Sequence, residues 1–360
     1  MAVEIEAGEA YAPLAYLQIG FAIVLLLIFG VWLSGFLSPN ALAALLRRDG
    51  RARQMGPYRL LRQIGEGAIS NVYLAQHRML KRPAAVKVLK TQSTKEEWTA
   101  RFQREVQLSS MLQHPNTISI YDYGTGANGE FWYAMEYLEG LSLADLVERY
   151  GPVPPARTAH ILRQACASLW EAHSCGLVHR DIKPQNIMLC EIRGERDFIK
   201  VLDFGLVKQI SGDQTRDLTG TMRILGTPLY MSPERIRNPS DADGRADIYA
   251  LGAVGFFLLT SKRLFETETE HDLTYQVLHT LPRLASECSP FAVPAELDAL
   301  IGRCLEKDPA ARPQTVSAVA SILDGVLVHM PWTRGQIDAW WQQNWVSEGD
   351  PGRRFTAPAS

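Results

Sequence analysis

The alternation of apolar and polar residues along the chain predicts several kinds of segment. Residues 14–37 contain no charged residue and are rich in Leu, Ile, Val and Phe. Residues 58–88 alternate apolar and polar positions with glycines between the runs, which predicts a twisted antiparallel sheet. Residues 155–176 carry apolar residues at helical spacing, and a very apolar helix begins at Asp247. The pattern therefore predicts a small β part followed by a large helical part, which is an α+β fold.

The apolar run at 14–37 is long enough to cross a membrane as one helix, since about 20 helical residues span a hydrocarbon core of about 30 Å. A cleaved signal peptide is the alternative. Against it, the leading residues carry Glu4, Glu6 and Glu9 instead of Lys or Arg, and no clear small-x-small cleavage site follows. We predict a transmembrane helix at 14–37, with residues 1–13 outside the cytoplasm.

Residues 38–56 form a basic linker, with arginines at positions 47, 48, 51 and 53. The positive-inside rule places this linker and all that follows in the cytoplasm. We therefore predict a single-pass protein of the cell (inner) membrane. The arginines are either a topology signal alone or also contact anionic lipid, at about 1 kcal/mol per basic residue near the surface.

Overall composition excludes some classes of protein. The formal net charge is -2, which argues against a mainly electrostatic nucleic-acid binder. The five cysteines are scattered without a C-x-x-C pair, so neither a disulfide framework nor a zinc site is predicted, and a reducing compartment fits.

Two short stretches carry the chemistry. Residues 179–186 read His-Arg-Asp-Ile-Lys-Pro-Gln-Asn, and residues 203–205 read Asp-Phe-Gly. Their two carboxylates, one amide and one ammonium could meet a triphosphate, its metal ions and a hydroxyl. Upstream, Lys87 lies between apolar residues of a strand, where an ammonium is costly unless it is paired or bound to an anion.

A glycine-rich stretch at 64–73 precedes Lys87. It has the form G-x-G-x-x-S, which on its own is weak evidence for phosphate binding. A dinucleotide fold requires a helix directly after the glycines, but residues 72–75 continue as a strand. We interpret the stretch as a hairpin whose backbone could lie over phosphates.

Together these motifs resemble the H-R-D-x-x-x-x-N, D-F-G, V-A-I-K and glycine-rich motifs of protein kinases. The resemblance covers residues 57–327 and implies the two-lobed protein kinase fold, with a small antiparallel β lobe plus one helix and a large, mainly helical lobe. The residues in these motifs resemble those of bacterial serine/threonine kinases. Departures are mild: Ser70 replaces a glycine, Ile182 a leucine, and Ser232 an alanine.

The resemblance assigns the catalytic roles. Asp181 would orient or accept the proton of the attacking hydroxyl, and Lys183 would neutralise the γ-phosphate. Asn186 and Asp203 would bind Mg²⁺ or Mn²⁺ through hard oxygen ligands. Lys87 would hold the α- and β-phosphates of ATP and pair with Glu105. The alternative for Glu105 is a solvated surface charge, but a buried lysine needs a partner, so we favour the ion pair.

The same resemblance assigns an ATP pocket. Met135 would lie behind the adenine, and the backbone of Glu136 and Leu138 would bond its edge. The full set of predicted ATP-binding residues is Ile64, Gly65, Glu66, Gly67, Ala68, Ser70, Val72, Ala85, Lys87, Met135, Glu136, Leu138 and Met188. Each of the apolar members could equally be ordinary core, and periodicity does not separate the two interpretations.

Residues 206–234 resemble an activation segment. We predict regulatory phosphorylation at Thr219 and Thr221, with Arg180 receiving the phosphates. The alternative for each threonine is that it is a polar loop residue without a regulatory role. By resemblance Thr227 would bond the catalytic loop.

Two further family contacts are implied by the resemblance. Glu234 would pair with Arg312, and Asp247 would hold the backbone of the catalytic loop. Both contacts would serve the structure of the large lobe.

Residues 328–360 form a tail after the kinase-like part. Thr333 and Gln336 match a capping box, and Ile337, Trp340, Trp341 and Trp345 recur at helical spacing, so an amphipathic helix is predicted. It could pack on the large lobe, or dock to a partner or to the membrane interface. The final residues are predicted to be disordered.

The function predicted from the sequence is ATP-dependent phosphorylation of protein serine and threonine hydroxyls. The expected partners are ATP, protein substrates and the membrane, without nucleic acid, and a homodimer is left open. Two alternatives remain: a catalytically silent membrane-anchored scaffold, and a kinase-like fold that acts on small molecules.

Overall fold

The computed structural model describes residues 53–67, 70–90, 96–127, 129–204, 228–238, 242–267 and 269–344, without the side chains of 96–102 and 270. The predicted transmembrane helix at 14–37 lies outside the described residues. So do Ala68, Thr219, Thr221 and Thr227, and so does the end of the tail. The expectations for those positions stay predictions.

The small lobe is an antiparallel sheet of six strands in the order β1-β2-β3-β4-β6-β5. Its strands are β1 (Gln54–Met55), β2 (Tyr58–Glu66), β3 (Ser70–His77), β4 (Pro83–Leu89), β5 (Ile120–Thr125) and β6 (Phe131–Met135), and its helix is α1 (Glu96–Ser110). Met55, assigned to the linker from the sequence, is buried in strand β1, so the lobe begins slightly before residue 57.

The large lobe is mainly helical. Its helices are α2 (Leu143–Tyr150), α3 (Pro155–Ser174), α4 (Pro233–Arg237), α5 (Gly244–Thr260), α6 (Glu270–His279), α7 (Ala285–Cys288), α8 (Ala295–Cys304) and α9 (Val316–His329). Helix α5 lies at the centre of the core, since 14 of its 17 residues are buried. The predicted helix at 155–176 is confirmed as α3, and Gly176 follows its end with a positive φ of 74°, a conformation that glycine adopts readily.

A second antiparallel sheet of three strands lies beside these helices, formed by β7 (Gly140–Ser142), β8 (Ile187–Ile192) and β9 (Glu195–Val201). Strands β8 and β9 form a hairpin whose two turn residues, Arg193 and Gly194, have φ of 54° and 82°. Positive φ at both positions is what a tight type I′ turn requires. The other end of the hairpin carries Asn186 before β8 and Asp203 after β9, so it brings two predicted metal ligands together.

The tail forms helix α10 (Arg334–Asn344), which is bonded to the large lobe. The predicted capping box is confirmed, because the Thr333 N–H donates to Gln336 Oε1 at 2.9 Å and the Gln336 N–H donates to the Thr333 hydroxyl at 3.4 Å. Trp332 and Trp341 donate their indole N–H groups to the buried carboxylate of Asp197, at 2.7 and 2.6 Å. The packing alternative is therefore the one that the structure shows.

The carboxylate of Asp197 is also bonded to Arg157 of α3. Arg157 donates from Nε and a terminal nitrogen at 2.8 and 2.6 Å, and both side chains are almost fully buried. The ring of Trp340 stacks on the guanidinium, 3.8 Å from its Cζ to the ring centroid. Four N–H donors thus surround one carboxylate, which meets the requirement that buried charges be paired.

Among the described residues no single helix is long and apolar enough to cross a membrane. Helices α9 and α10 pass the length and composition criteria only when taken together, and they are bent by 89° with respect to each other.

Candidate active site

Asp247, near the start of α5, binds the backbone of the predicted catalytic loop, residues 179–186. The Asp247 carboxylate accepts the backbone N–H groups of His179 and Arg180, both at 2.8 Å, as the resemblance implied. Burial raises the pKa of Asp247, but its hydrogen bonds with the His173 side chain and the His179 backbone N–H and its electrostatic interactions with these residues outweigh that effect and lower the pKa. Arg180 has a φ of 61°, a strained conformation that persists only when the surroundings impose it, and the Asp247 bonds do so.

Asp181, Lys183 and Asn186 lie together in this loop. The Asn186 amide nitrogen donates to the Asp181 carboxylate at 2.9 Å and to its carbonyl at 2.8 Å. The Lys183 ammonium lies 3.3 Å from the Asp181 carboxylate. Because the Asn186 nitrogen is used in this way, its oxygen is the atom that can serve as a metal ligand.

His179 ties the catalytic loop to the end of strand β9. Its Nδ1 accepts the Asp181 backbone N–H at 3.2 Å, so Nε2 must carry the proton that it donates to the Leu202 carbonyl at 2.7 Å. Its ring packs against that of Phe204 at 4.5 Å between centroids. Burial lowers the pKa of His179, which keeps this arrangement neutral.

Lys87 of β4 contacts Asp203 directly. Its ammonium donates to Asp203 Oδ2 at 2.6 Å, and the Tyr133 hydroxyl donates to Asp203 Oδ1 at 2.6 Å. Burial raises the pKa of Asp203, but the Lys87 charge and the two hydrogen bonds outweigh that effect and lower the pKa. Sequence reasoning did not assign Tyr133. Tyr133 lies opposite Lys87 because of the register between strands β4 and β6, which the sequence does not show.

In the described part of the chain, the Lys87 ammonium contacts Asp203, and its predicted ion pair with Glu105 is not seen. Burial raises the pKa of Glu105, and the positive charges of Arg180 and Arg104 act in the opposite direction. Glu105 therefore lies within the electrostatic field of the catalytic-loop arginine. The pairing of Lys87 with Glu105 stays a prediction, and it depends on how the two lobes pack.

Six of the apolar residues predicted to bind ATP lie together in one buried cluster. The cluster contains Ile64, Val72, Ala85, Met135, Leu138 and Met188, all predicted from the sequence. At its edge Gly67 donates its N–H to the Ser70 carbonyl at 2.8 Å, which closes the hairpin between β2 and β3. The hairpin prediction is therefore confirmed, and the dinucleotide alternative is excluded because β3 follows the glycines.

Glu136, at the predicted hinge, is fixed by contacts that the sequence did not predict. Its backbone N–H donates to the Ser119 carbonyl at 2.9 Å, so Glu136 can offer an adenine edge only its carbonyl oxygen. Its carboxylate accepts from Lys200 of β9 at 2.6 Å and from the Ser119 N–H at 2.8 Å. The hinge is thereby tied to the strand that leads to Asp203.

The predicted pair of Glu234 and Arg312 is present. Arg312 donates to both carboxylate oxygens at 2.7 and 2.8 Å, and its side chain is fully buried. Burial raises the pKa of Glu234, but the bonds and charge of Arg312 outweigh it and lower the pKa. The neighbouring Arg235 donates to the Arg180 carbonyl and so connects this region to the catalytic loop.

The donor atoms fit a hard divalent cation such as Mg²⁺. Asp203 supplies a carboxylate and Asn186 an amide oxygen, beside the carboxylate of Asp181. In the part of the chain that the structure describes, no group of three or more His, Cys, Asp or Glu side chains could hold a metal ion. The few oxygen donors of Asp203, Asn186 and Asp181 nevertheless suit Mg²⁺, because in nucleotide sites this ion is bound by one or two carboxylates together with substrate phosphates.

Comparison with known families gives one extensive match. The profile described as "Protein kinase domain" matches residues 58–323. Serine/threonine-protein kinase pkn3 of Myxococcus xanthus is 38% identical over 272 residues, which are 75% of this chain and 50% of that protein. Serine/threonine-protein kinase PrkC of Bacillus subtilis is 37% identical over 264 residues, which are 73% of this chain and 39% of that protein. The chain thus spans half or less of the length of these relatives.

Solved structures give the same result. The crystal structure of the Mycobacterium tuberculosis PknI kinase domain superimposes with a TM-score of 0.59 at 27% identity, and the match covers 77% of this chain and 98% of that chain.

Proposed function

The chain belongs to the protein kinase domain family, and from this premise we propose that it transfers the γ-phosphate of ATP to serine and threonine hydroxyls of proteins. The observation that carries the proposal is that the Lys183 ammonium and the Asn186 amide both lie within 3.3 Å of the Asp181 carboxylate, in a loop tied to the strand end that bears Asp203. Lys87 reaches Asp203 from the other lobe.

Phosphoryl transfer passes through a loose transition state, so positioning and charge neutralisation supply most of the catalysis. Asp181 would orient the attacking hydroxyl and accept its proton. Lys183, beside it, would neutralise charge on the transferred group. Bound Mg²⁺, held by Asn186 and Asp203, would neutralise the phosphates.

Three features favour a protein substrate with an alcohol side chain. The relatives named above carry the name serine/threonine-protein kinase, and Lys183 stands two places after Asp181, as in kinases of that type. The Glu234–Arg312 pair fixes the end of the predicted activation segment at 206–234, which favours a peptide over a small-molecule substrate.

A transfer assay tests this proposal. The purified full-length chain, radiolabelled ATP, Mg²⁺ and a generic protein substrate should give labelled protein, including labelled kinase. Asp181→Asn and Asp203→Asn should abolish labelling, whereas Asp324→Asn, a control on the exposed surface, should not. Equal labelling by Asp203→Asn would reject the proposed function, and labelling of small molecules alone would favour the second alternative. Absence of nucleotide binding would favour the silent scaffold.

We also propose that the chain is anchored in the cell membrane by residues 14–37, with the kinase domain in the cytoplasm. The uncharged run and the arginines that follow it support this proposal. Fractionation should place the full chain with membranes, and a form that starts at Arg53 and retains strand β1 should be released. A soluble full chain, or a product shortened by signal cleavage, would contradict the anchor.

A further inference from the structure

Tyr133 and Lys87 are direct partners across neighbouring antiparallel strands, β6 and β4. Paired residues in a sheet project from the same face, so the register places a hydroxyl and an ammonium side by side. Each donates to a different oxygen of Asp203, at 2.6 Å in both cases. The small lobe therefore forms two hydrogen bonds with one carboxylate of the large lobe.

The position of the Tyr133 hydroxyl is set by packing. Tyr133 is 1% exposed and belongs to the apolar cluster that contains Ala85, Met135 and Leu202. A buried hydroxyl in apolar surroundings is costly unless it is bonded, and Asp203 Oδ1 supplies the acceptor. Because the ring cannot turn without disturbing the cluster, the hydroxyl is a fixed point to which the carboxylate adjusts.

Asp203 needs such a fixed point. Its φ is 52°, in the left-handed region that is unfavourable for non-glycine residues and persists only when the surroundings impose it. The ammonium of Lys87 offers three equivalent donors and so fixes the carboxylate's distance better than its rotation. The single Tyr133 hydroxyl, bonded to the other oxygen, fixes the rotation.

We propose that Tyr133 is a positioning residue for the metal-binding carboxylate of Asp203. It acts through Asp203 and contributes orientation without adding charge. Mutation of a residue that hydrogen-bonds a metal ligand typically weakens metal binding about 10- to 100-fold. The inference deepens the proposed function and rests on it, since it requires that Asp203 bind the divalent cation.

The test measures Mn²⁺ binding directly. The purified full-length chain, saturated with a non-hydrolysable ATP analogue, is titrated with Mn²⁺, and the free ion is followed by electron paramagnetic resonance. Tyr133→Phe should weaken Mn²⁺ binding about tenfold. Tyr133→Leu also lacks the hydroxyl but has a different side-chain shape, and it should shift the Mn²⁺ affinity in the same direction. The activity of Tyr133→Phe should recover as Mn²⁺ is raised, with the KM for the protein substrate unchanged.

The matched control is Tyr249→Phe. Tyr249 is also fully buried, and within the described residues its hydroxyl has no hydrogen-bond partner. This variant should bind Mn²⁺ like the wild type. Its melting temperature provides the reference for a buried Tyr-to-Phe change.

The outcomes are distinct. Wild-type affinity in Tyr133→Phe overturns the inference, and so does tighter binding, which would mean that the hydroxyl competes with the metal. A kcat that stays low at all Mn²⁺ concentrations assigns Tyr133 to packing instead. If the wild type itself binds no Mn²⁺ with the nucleotide analogue, the proposed metal use fails, and the role of Tyr133 fails with it.

Discussion

Lys87 donates to Asp203 Oδ2 at 2.6 Å, 116 positions later in the chain, and this contact takes the ammonium that the sequence assigned to Glu105. Glu105 meanwhile lies in the field of Arg180. The phosphates predicted on the activation segment would therefore interact with the same arginine whose charge acts on Glu105. A phosphate that engages Arg180 would weaken its hold on Glu105 and favour the Lys87–Glu105 pair.

The first prediction concerns Glu105. Glu105→Gln should lower kcat/KM about 100-fold, because loss of one partner of a buried ion pair costs about 3 kcal/mol and each 1.36 kcal/mol is tenfold in rate. The stability of the resting protein should change little, since Lys87 is bonded to Asp203 there. Steady-state kinetics and thermal melting measure the two effects. A fully active Glu105→Gln protein would show that Glu105 is only a partly buried surface charge.

The second prediction concerns the activation segment. Thr219→Ala combined with Thr221→Ala should lower activity, because a phosphate adds about -1.5 to -2 charge at neutral pH and can bond a fixed cation. Arg180→Ala should lower activity without further loss in the combined variant. Thr227→Ala should abolish activity whatever the phosphorylation state. Mass spectrometry maps the sites, and full activity of the double variant would place control elsewhere in the chain.

The third prediction concerns Glu234 and Arg312. Glu234→Gln should reduce the free energy of unfolding at pH 7 by about 3 kcal/mol, because Arg312 is left buried without its charge partner. The folded-state pKa of Glu234 lies below its ordinary value, so its contribution is present above that value and is lost as pH falls through the folded-state pKa. The difference between the variant and the wild type should therefore shrink below about pH 4.3.

Urea unfolding between pH 3 and pH 7 measures this dependence. The control is Arg163→Gln, which breaks an exposed pair with Asp324 and should cost less than about 1 kcal/mol. A pH-independent loss in Glu234→Gln would contradict the electrostatic explanation and assign the effect to packing.

The fourth prediction concerns the tail. Asp197→Ala should destabilise the protein by about 3–5 kcal/mol, because Arg157 is then buried without a counter-charge. Trp341→Phe keeps most of the ring and removes one charge-assisted bond, so we expect a loss of about 1.5–3 kcal/mol. Trp170→Phe is the control, since that ring is 55% exposed.

Denaturant unfolding of the full-length chain, followed by far-ultraviolet circular dichroism, measures these losses. If Trp341→Phe were as stable as Trp170→Phe, the tail would not contribute to the folded lobe, and the docking alternatives for helix α10 would gain weight.

Local sequence patterns determined those parts of the protein that depend on neighbouring residues. The hairpin around Gly67 followed from glycines before a strand, α3 from apolar spacing and a terminal glycine, and the tail helix from a capping box. These features arise within a few residues, because turns, caps and periodicity act locally. The catalytic loop and the Asp247 and Arg312 contacts followed from resemblance, which transfers a tertiary arrangement along with its motif.

The tertiary structure alone decided which partner each buried charge takes. Lys87 could pair with Glu105 or Asp203, and Asp197 could have been an ordinary turn residue near Arg193. The first choice depends on how the two lobes pack, and the second on a tail that returns more than 130 positions later to bond Asp197. Burying a charge is costly unless it is paired, so each buried ion takes the partner that the fold brings within reach. The distance between two such residues in the folded protein cannot be read from their spacing in the sequence.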